Sequence, residues 1–447
     1  MPHAHQHPRP PARRPPADPR NQDVLAWQDD PGSGLRPLPR PVPEPGRPPL
    51  SLDIVVAPAP PRPGEYPIAT RAFRYWTAAE ALRRAADFWA GLLPRGTRWW
   101  LGDTLPVHLD AGRDLNAYYD RSRLAFFHER VKGKTVYAGE SPDILCHELG
   151  HAVLDAVRPQ LFHTASLEVA AFHEAFGDIS AILAALQLQD VRRAVIKETA
   201  GRYRSSRVSR LAEQLAAAIR QLRPDAVEAD CLRNAVNSFV YRHPGSLPPW
   251  APASHLSSEP HSLSRVFSAG FFEALCLMAT RKGMPSESDL LGVTSQAGQL
   301  LVDAIQASPV TAGYFSTVAS GMAEAAAGLD PAYPGLVRSA FARRRILPMR
   351  RRTSVEPQRP PLLALFAGEE GFADARIVVQ HAGDSDDARM FLHWLIERGR
   401  LELDAARFPG VVHHPLALKT HRLATIDGGS EVVLHRIIFD CGFHANA

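Results

Sequence analysis

Two long apolar helices that each carry several ionisable side chains constrain the fold more than any other feature of the sequence. The first is predicted over 144–157, ILCHELGHAVLDAV, directly after Ser141, Pro142 and Asp143. A capping serine followed by proline is a typical helix start. The second is predicted over 166–188, SLEVAAFHEAFGDISAILAALQL. Because unpaired ionisable groups are costly in buried helices, we expect the polar residues of the two helices to face one another.

The first helix carries His147 and His151 four residues apart. On an α-helix that spacing puts both imidazoles on one face, about 6 Å apart, where they can bind one metal ion. Glu148 is turned by about 100° from His147, so its carboxylate can act on a water molecule beside the metal. Two ligands and one general base are what an HExxH sequence requires. The pattern alone is also compatible with a helix whose histidines are only packed or hydrogen-bonded.

The third metal ligand is expected from the second helix, since catalytic zinc keeps three protein ligands and one open position. Glu174 follows His151 at a distance that allows a loop and an antiparallel return of the chain. Asp178 lies one helical turn further, where it can accept the second ring N–H of a ligand histidine. The sequence therefore predicts a zinc ion held by His147, His151 and Glu174, although the two acids could instead form ordinary pairs on a helix surface.

In these residues the chain resembles the gluzincins, and specifically the thermolysin-like neutral metalloproteases, over roughly residues 66–348. Three further segments carry the resemblance: NAYYD at 116–120, CLRNA at 231–235 and HSLSRVFSAGFFEAL at 261–275. The implied fold class is α+β, with a small β-containing N-terminal lobe and a helical C-terminal lobe. A small C-terminal α+β module is expected to follow this core.

The resemblance also implies roles for individual residues. Asn116 and Ala117 would align a peptide substrate as an additional strand, Arg233 would hold a substrate carbonyl, and His261 would stabilise the oxyanion. Glu148 would be the general base of a zinc-dependent endopeptidase. An apolar residue after the cut is implied, and its pocket would be lined by Ile144 and Leu232.

Several positions depart from the family pattern. His173 stands where asparagine usually precedes the ligand glutamate, and Phe162 stands where a tyrosine hydroxyl would help to bind the oxyanion. Leu256 occupies the position of the acid that orients the final histidine, for which Glu259 is the nearest substitute. The acidic clusters that bind calcium in secreted relatives have no counterpart after Glu174.

A second hypothesis therefore stays open, in which the protein is a catalytically weak or inactive member of the fold that acts as a binding or scaffold protein. Loss of one oxyanion donor at Phe162 could reduce the rate tenfold or more, whereas the intact Glu148 argues for catalysis. A purely structural zinc site is disfavoured, because three ligands beside a general base describe an open site.

The composition divides the chain into four parts. Residues 1–65 contain stretches such as RPLPRPVPEPGRPP and are predicted to be a disordered or extended tail. The metallopeptidase domain is predicted over 66–348, a linker over 349–361, and the α+β module of unknown role over 362–447. The first helix of the folded part is predicted over 77–93, with Thr77 and Glu80 as its capping box. Strands are predicted at 105–109, 123–129 and 134–139, followed mainly by helices.

The bulk properties limit the expected partners. The net charge of the 447 residues is only +4, so no nucleic-acid partner is predicted. No run of eighteen apolar residues predicts a membrane span, and the first twenty residues lack the apolar core of a secretory signal. We therefore expect a cytoplasmic protein with a peptide or protein substrate, leaving non-standard export open. The proline-rich tail and the C-terminal module are the candidate surfaces for a protein partner.

Overall fold

The structure is a computed structural model that describes residues 23–44, 52–348, 363–367, 372, 375–381, 385–412, 414, 417–425, 431–440 and 442. Its helices are α1 (Arg71–Ala90), α2 (Pro142–Val157), α3 (Leu167–Ala185), α4 (Gln189–Thr199), α5 (Glu213–Arg220), α6 (Pro260–Ala279), α7 (Glu287–Ala307), α8 (Tyr314–Ala325), α9 (Tyr333–Arg343) and α10 (Ser385–Glu397). The predicted mixed α+β class is confirmed.

The strands are short and are divided among several sheets. They are β1 (Asp23–Ala26), β2 (Leu38–Pro41), β3 (Asp53–Ala57), β4 (Thr104–His108), β5 (Ala117–Tyr119), β6 (Leu124–Phe126), β7 (His128–Val131), β8 (Lys134–Tyr137), β9 (Arg210–Leu211), β10 (Arg233–Asn234), β11 (Leu363–Ala367), β12 (Arg376–Gln380), β13 (Leu401–Glu402), β14 (His421–Thr425), β15 (Glu431–Arg436) and β16 (Phe439–Asp440). The strands predicted at 105–109, 123–129 and 134–139 are confirmed as β4, β6 with β7, and β8.

Helices α2 and α3 form the centre of the molecule, and both begin as the sequence predicts. Ser141 and Ser166 are their N-caps, each accepting a backbone N–H of the first turn at 3.4 Å. The helices approach closely because glycines face each other: a Cβ on Gly150 would lie 2.9 Å from the Cα of Gly177. A Cβ on Gly177 would lie 2.6 Å from the His147 ring. This contact therefore brings the polar residues of α3 against the histidine face of α2.

The sheet beside these helices has the strand order β16-β5-β6-β4-β3. Strands β3, β4 and β6 are parallel, whereas β5 runs antiparallel to β6. The edge of β5 that faces away from β6 is paired with β16, which comes from the far end of the chain. The segment predicted to bind substrate is therefore an inner strand of this sheet.

The prediction of a disordered tail over 1–65 is wrong for 23–44 and 52–65. Strands β1 and β2 form a hairpin against α1, where Val24 is fully buried and the Trp27 backbone N–H donates to Thr77 Oγ1 at 3.2 Å. Strand β3 joins the sheet beside β4. The few apolar residues among the prolines dock onto a core made by the rest of the chain, so they do not need a core of their own. Residues 1–22 and 45–51 lie outside the described residues.

The predicted start of the first helix at Thr77 is also wrong. Helix α1 begins at Arg71, and its N-cap is Thr70, whose Oγ1 accepts the Phe73 N–H at 3.2 Å. Thr77 is buried inside the helix, and Glu80 forms a buried ion pair with Arg84 at 3.0 Å. Sequence reading mistook a hydroxyl that serves the β1–β2 hairpin for a helix cap.

The sequence VSRLAEQLAAAIRQL at 208–222 has the apolar periodicity of one long helix, but residues 210–211 pair as β9 with β10 and only α5 is helical. Helix α6 is long and apolar enough to cross a membrane by composition, and so is the bent pair of α3 and α4. In α6, 89% of the apolar window is buried inside the protein, as in a core helix.

The C-terminal residues form the small α+β unit predicted from their sequence. Its sheet has the order β11-β12-β15-β14-β13 and packs with α10 around its own apolar cluster. That cluster also includes Ala165, Leu167 and Ala170 from the beginning of α3, and the Ala165 N–H donates to the Gln380 carbonyl at 2.6 Å. The unit therefore packs directly against the helix that carries Glu174. The predicted linker 349–361 lies outside the described residues.

Candidate metal centre

His147, His151 and Glu174 converge on one buried point between α2 and α3. One ligand atom from each residue lies within 4.8 Å of the other two. His147 Nε2 is 3.3 Å from Glu174 Oε2, and His151 Nε2 is 3.8 Å from Glu174 Oε1. All three residues are at most 4% exposed. The structure thus brings together the three residues predicted as zinc ligands.

The charges at this point suit a cation. Burial lowers the pKa of His151 to about 3, which keeps its imidazole neutral and able to bind a metal. Burial opposes ionisation of Glu174, but the neighbouring His261 and His151 hold its pKa well below the ordinary value. Burial would also lower the pKa of His147, yet hydrogen bonds to Asp178 and Glu174 raise it to about 8. A metal ion would replace that proton.

Asp178 holds the His147 ring from the side opposite Glu174. Its Oδ1 is 3.0 Å from His147 Nδ1, which leaves Nε2 directed at Glu174. Asp178 also accepts hydrogen bonds from Arg233, with Nη2 at 2.7 Å and Nε at 3.1 Å. Burial opposes its charge, but Arg233 and His147 lower its pKa to about 2. Asp178 therefore occupies the position predicted for a residue that orients a ligand histidine.

Glu148 is completely buried and lies in a small pocket beside the metal point. The same pocket is lined by Ala117, Ile144, Leu232 and Arg233. Apolar residues that the sequence did not indicate also line the pocket: Ala181, Leu211, Ala212 and Leu215. The predicted base, the predicted edge strand and both predicted pocket residues therefore share one site.

His261 approaches the centre from the first turn of α6. Its Nε2 is 3.1 Å from Glu174 Oε2, and its Nδ1 is 2.7 Å from Glu259 Oε1. Glu259 is also the N-cap of α6, accepting the Ser262 N–H at 2.9 Å. Burial would lower the pKa of His261, but Glu174 and Glu259 raise it well above its ordinary value. Glu259 thus orients His261, as predicted from the sequence, and Leu256 takes no part in these contacts.

The two other departures from the family pattern lie side by side. His173 is fully buried, and neither of its ring nitrogens has a hydrogen-bond partner among the described residues. Phe162 is 1% exposed and packs edge-on against Tyr119, with ring centroids 6.1 Å apart. Both side chains contact Phe439, which stacks on His173 at 3.9 Å and lies 5.3 Å from Phe162. Sequence reading missed Phe439 altogether, because nothing near it in the sequence indicates chemistry.

A second set of buried acids lies at the other end of α2. Asp29, Asp143 and Glu213 place three carboxylate oxygens within 4.8 Å of one another. Burial raises the pKa of Asp29 to about 7 and that of Glu213 to about 8, and Asp30 adds to both shifts by repulsion. This cluster ties the N-terminal segment to the core, but its acidic charge alone defines no ligand.

Comparison by sequence adds no identification to this geometry. No protein-family model matches the chain, and no curated protein matches it. The functional conclusion therefore depends on the arrangement of the residues described above.

Proposed function

We propose that this protein is a zinc-dependent endopeptidase built on a thermolysin-like gluzincin core. The convergence of His147, His151 and Glu174 beside the buried carboxylate of Glu148 carries the proposal. Three protein ligands next to an acid that is not itself a ligand are typical of catalytic zinc, whereas structural zinc has a closed set of four.

Zinc is the metal we propose because two imidazole nitrogens and one carboxylate oxygen are a common catalytic ligand set for it. The fixed His147 ring and the ionised Glu174 fit this role. When bound, zinc would polarise a substrate carbonyl and make a nearby water more acidic. The remaining chemistry is assigned to side chains of this chain.

Glu148 is proposed to take the proton from the attacking water and to deliver it to the leaving nitrogen, as a general base and then acid. His261 is proposed to donate from Nε2 to the negative charge that develops on the carbonyl oxygen. Its Nδ1 is held by Glu259 at 2.7 Å, so the ring is already oriented for this contact. Arg233 would hold a substrate carbonyl from its position beside Asp178.

Asn116, the residue before β5, supports a peptide as the substrate. Asn116 is 2% exposed, and its side-chain oxygen accepts no hydrogen bond from the described residues. An extended peptide beside β5 could supply an N–H to this buried acceptor. The pocket lined by Ile144, Leu232 and Leu215 would accept an apolar side chain after the cut.

An alternative candidate is a binding or scaffold protein with little or no catalysis. The observation that favours it is the position of Phe439, which stacks on His151 with ring centroids 4.9 Å apart. In that case the C-terminal unit would be the functional surface, and the metal would stabilise the fold.

Replacing Glu148 by glutamine separates the two candidates. Zinc content and cleavage of casein and of a quenched peptide library would be measured with and without a chelator. The endopeptidase proposal expects chelator-sensitive cleavage that falls about 10²- to 10⁴-fold in the variant, with unchanged zinc content. The matched control is Glu324→Gln on the exposed face of α8, which should retain full cleavage. Because β16 pairs with the outer edge of β5 in the full-length chain, both variants should also be made in a chain that ends at Ile438. Absence of cleavage from that chain, with zinc bound, would favour the binding protein.

A further inference from the structure

The edge of β5 that is proposed to bind substrate is already paired with a segment of the same chain. In β16, Phe439 lies opposite Tyr119 and Asp440 lies opposite Tyr118, in antiparallel register. Continuing that register brings residue 442 opposite residue 116. A Cβ placed on Gly442 would overlap the side chain of Asn116, the residue before β5, so the segment follows β5 to its beginning.

Phe439, the first residue of β16, packs against one of the proposed metal ligands. Its ring stacks on His151, a proposed ligand, at 4.9 Å with an interplanar angle of 14°, and on His173 at 3.9 Å. It is 2% exposed, although it lies near the end of the chain. A peptide that entered along β5 would have to displace this ring and the strand that carries it.

One contact with the core and two contacts within the C-terminal unit hold the segment in place. Arg436 donates from Nε to the Phe162 carbonyl at 2.9 Å, and its guanidinium lies 4.1 Å from the centre of the Phe439 ring. Asp440 pairs with Arg400 of the same unit at 3.3 Å. The segment is therefore presented by a folded unit, and it is not merely a free chain end lying across the surface.

We propose that the segment containing Phe439, Asp440 and Gly442 is an internal inhibitor, which occupies the peptide-binding edge beside the metal centre until it is displaced. This inference rests on the proposed peptidase function and assigns the regulation of that site. The N-terminal segment has no such role, because its described residues 23–44 pack against α1 and α5. Activation then requires that the segment leave β5, while the rest of the C-terminal unit can stay in place.

The expected effect follows from competition within one chain. A tethered segment competes at an effective concentration on the order of millimolar. If the untethered segment itself would bind the open edge with a dissociation constant of roughly 100 µM, its tethered form should weaken the apparent binding of any competing peptide about tenfold. Removing the segment should strengthen peptide binding and raise casein cleavage by about the same factor.

Three variants displace the segment by different means. A chain ending at Ile438 removes it, Gly442→Val introduces a side chain where Asn116 leaves no space, and Phe439→Glu places a charge against the buried rings. Two controls match them. A chain ending at Gly442 loses only residues 443–447, and Val412→Glu adds the same charge at a side chain that is 66% exposed in the same unit.

The first readout is binding, which does not depend on catalysis. A fluorescein-labelled peptide with the sequence of 436–443, with serine in place of Cys441, is titrated by fluorescence polarisation into each protein carrying Glu148→Gln. The proposal expects about tenfold tighter binding by the displaced variants than by the full-length chain and both controls. Equal binding by all proteins would overturn the proposal.

The second readout is casein cleavage by the same proteins with Glu148 intact. Higher cleavage by the displaced variants, together with tighter peptide binding, supports both the inhibitor and the peptidase. Tighter binding without cleavage by any protein supports occupation of the edge by the segment, and overturns the peptidase function. Equal cleavage and equal binding by all proteins overturn the inhibitor alone, and leave the peptidase standing. The point variants decide the outcome if the truncated chain fails to fold.

Discussion

Replacing Asp178 by asparagine should weaken zinc binding and destabilise the protein by two separable mechanisms. The carboxylate accepts a hydrogen bond from His147 Nδ1 at 3.0 Å and several from Arg233, the shortest at 2.7 Å. Asparagine keeps the shape but removes the negative charge. It also offers one acceptor oxygen where the carboxylate offered two, so His147 and Arg233 must compete for it.

The two magnitudes can be set from these contacts. Loss of the partner that orients a ligand histidine typically costs 10- to 100-fold in metal affinity, which is about 1.4–2.8 kcal/mol. Arg233 is only 8% exposed, and its Nη2 lies 2.7 Å from Asp178 Oδ1, so breaking this buried ion pair should cost about 3–5 kcal/mol in the free energy of unfolding. The loss in the free energy of unfolding should be measurable in the metal-free protein. The loss in metal affinity should be seen only when zinc is titrated.

Zinc affinity would be measured by competition with a chromophoric chelator, and the free energy of unfolding of the metal-free protein by urea denaturation. Asp190→Asn is the matched control, because that carboxylate is 55% exposed in a surface pair with Arg193. Adding Arg233→Met to Asp178→Asn should recover most of the lost stability and none of the zinc affinity. If Asp178→Asn binds zinc within about twofold of the wild type, Asp178 does not orient His147 for a metal, and the reasoning fails.

Two further predictions concern the core around α2. Gly177→Ala should reduce zinc affinity, because its Cβ would lie 2.6 Å from the His147 ring, while the helix content of the protein stays close to that of the wild type. Chelator competition would measure the affinity, and circular dichroism would measure the helix content. Asp29 and Glu213 have raised pKa values of about 7 and 8, so the folded state retains protons that the unfolded state has lost above about pH 4. The free energy of unfolding should therefore fall as pH rises from 4 through 7–8. Asp29→Asn should reduce that fall by a few kcal/mol in urea titrations at pH 5 and 8, and an unchanged pH dependence would contradict it.

The centre could be predicted because its information is local. His147, Glu148 and His151 share one helix, and Glu174 and Asp178 share the next, so helical periodicity alone determines which side chains lie on a common face. Ser141 and Ser166 mark where those helices begin. Two correctly bounded helices packed through Gly150 and Gly177 leave few other arrangements of the five polar residues.

The N-terminal segment could not be predicted in this way. Its proline content correctly indicates that the segment has no hydrophobic core of its own. The composition does not indicate whether the segment can pack against the core of the rest of the chain. Trp27 contacts Thr77, and Asp30 accepts hydrogen bonds from Ser141 and Gln214. Those partners are distant in sequence, so no periodicity within 23–44 reveals them. The same contact explains the error at Thr77, whose role depends on a residue fifty positions earlier.

The position of the C-terminal strand β16 is even harder to predict from local sequence patterns. Strand β16 has two residues, and its partner β5 precedes it by more than three hundred positions. An apolar run such as 437–439 is consistent with any buried strand. Its register against β5, and therefore the contact between Phe439 and His151, depends on how the whole C-terminal unit packs on α3.

Phe162, which stands where the family pattern has a tyrosine, contacts Phe439 of strand β16. Where the resemblance implies a tyrosine hydroxyl, this chain has an apolar ring that packs 5.3 Å from Phe439, and its carbonyl accepts the Arg436 hydrogen bond. At 1% exposure, a hydroxyl left without a partner there would cost about 1–3 kcal/mol. A chain that covers its own site thus has a physical reason to use phenylalanine. Phe162 therefore suits the state in which β16 is paired with β5. Its presence does not by itself favour an inactive protein over an inhibited one.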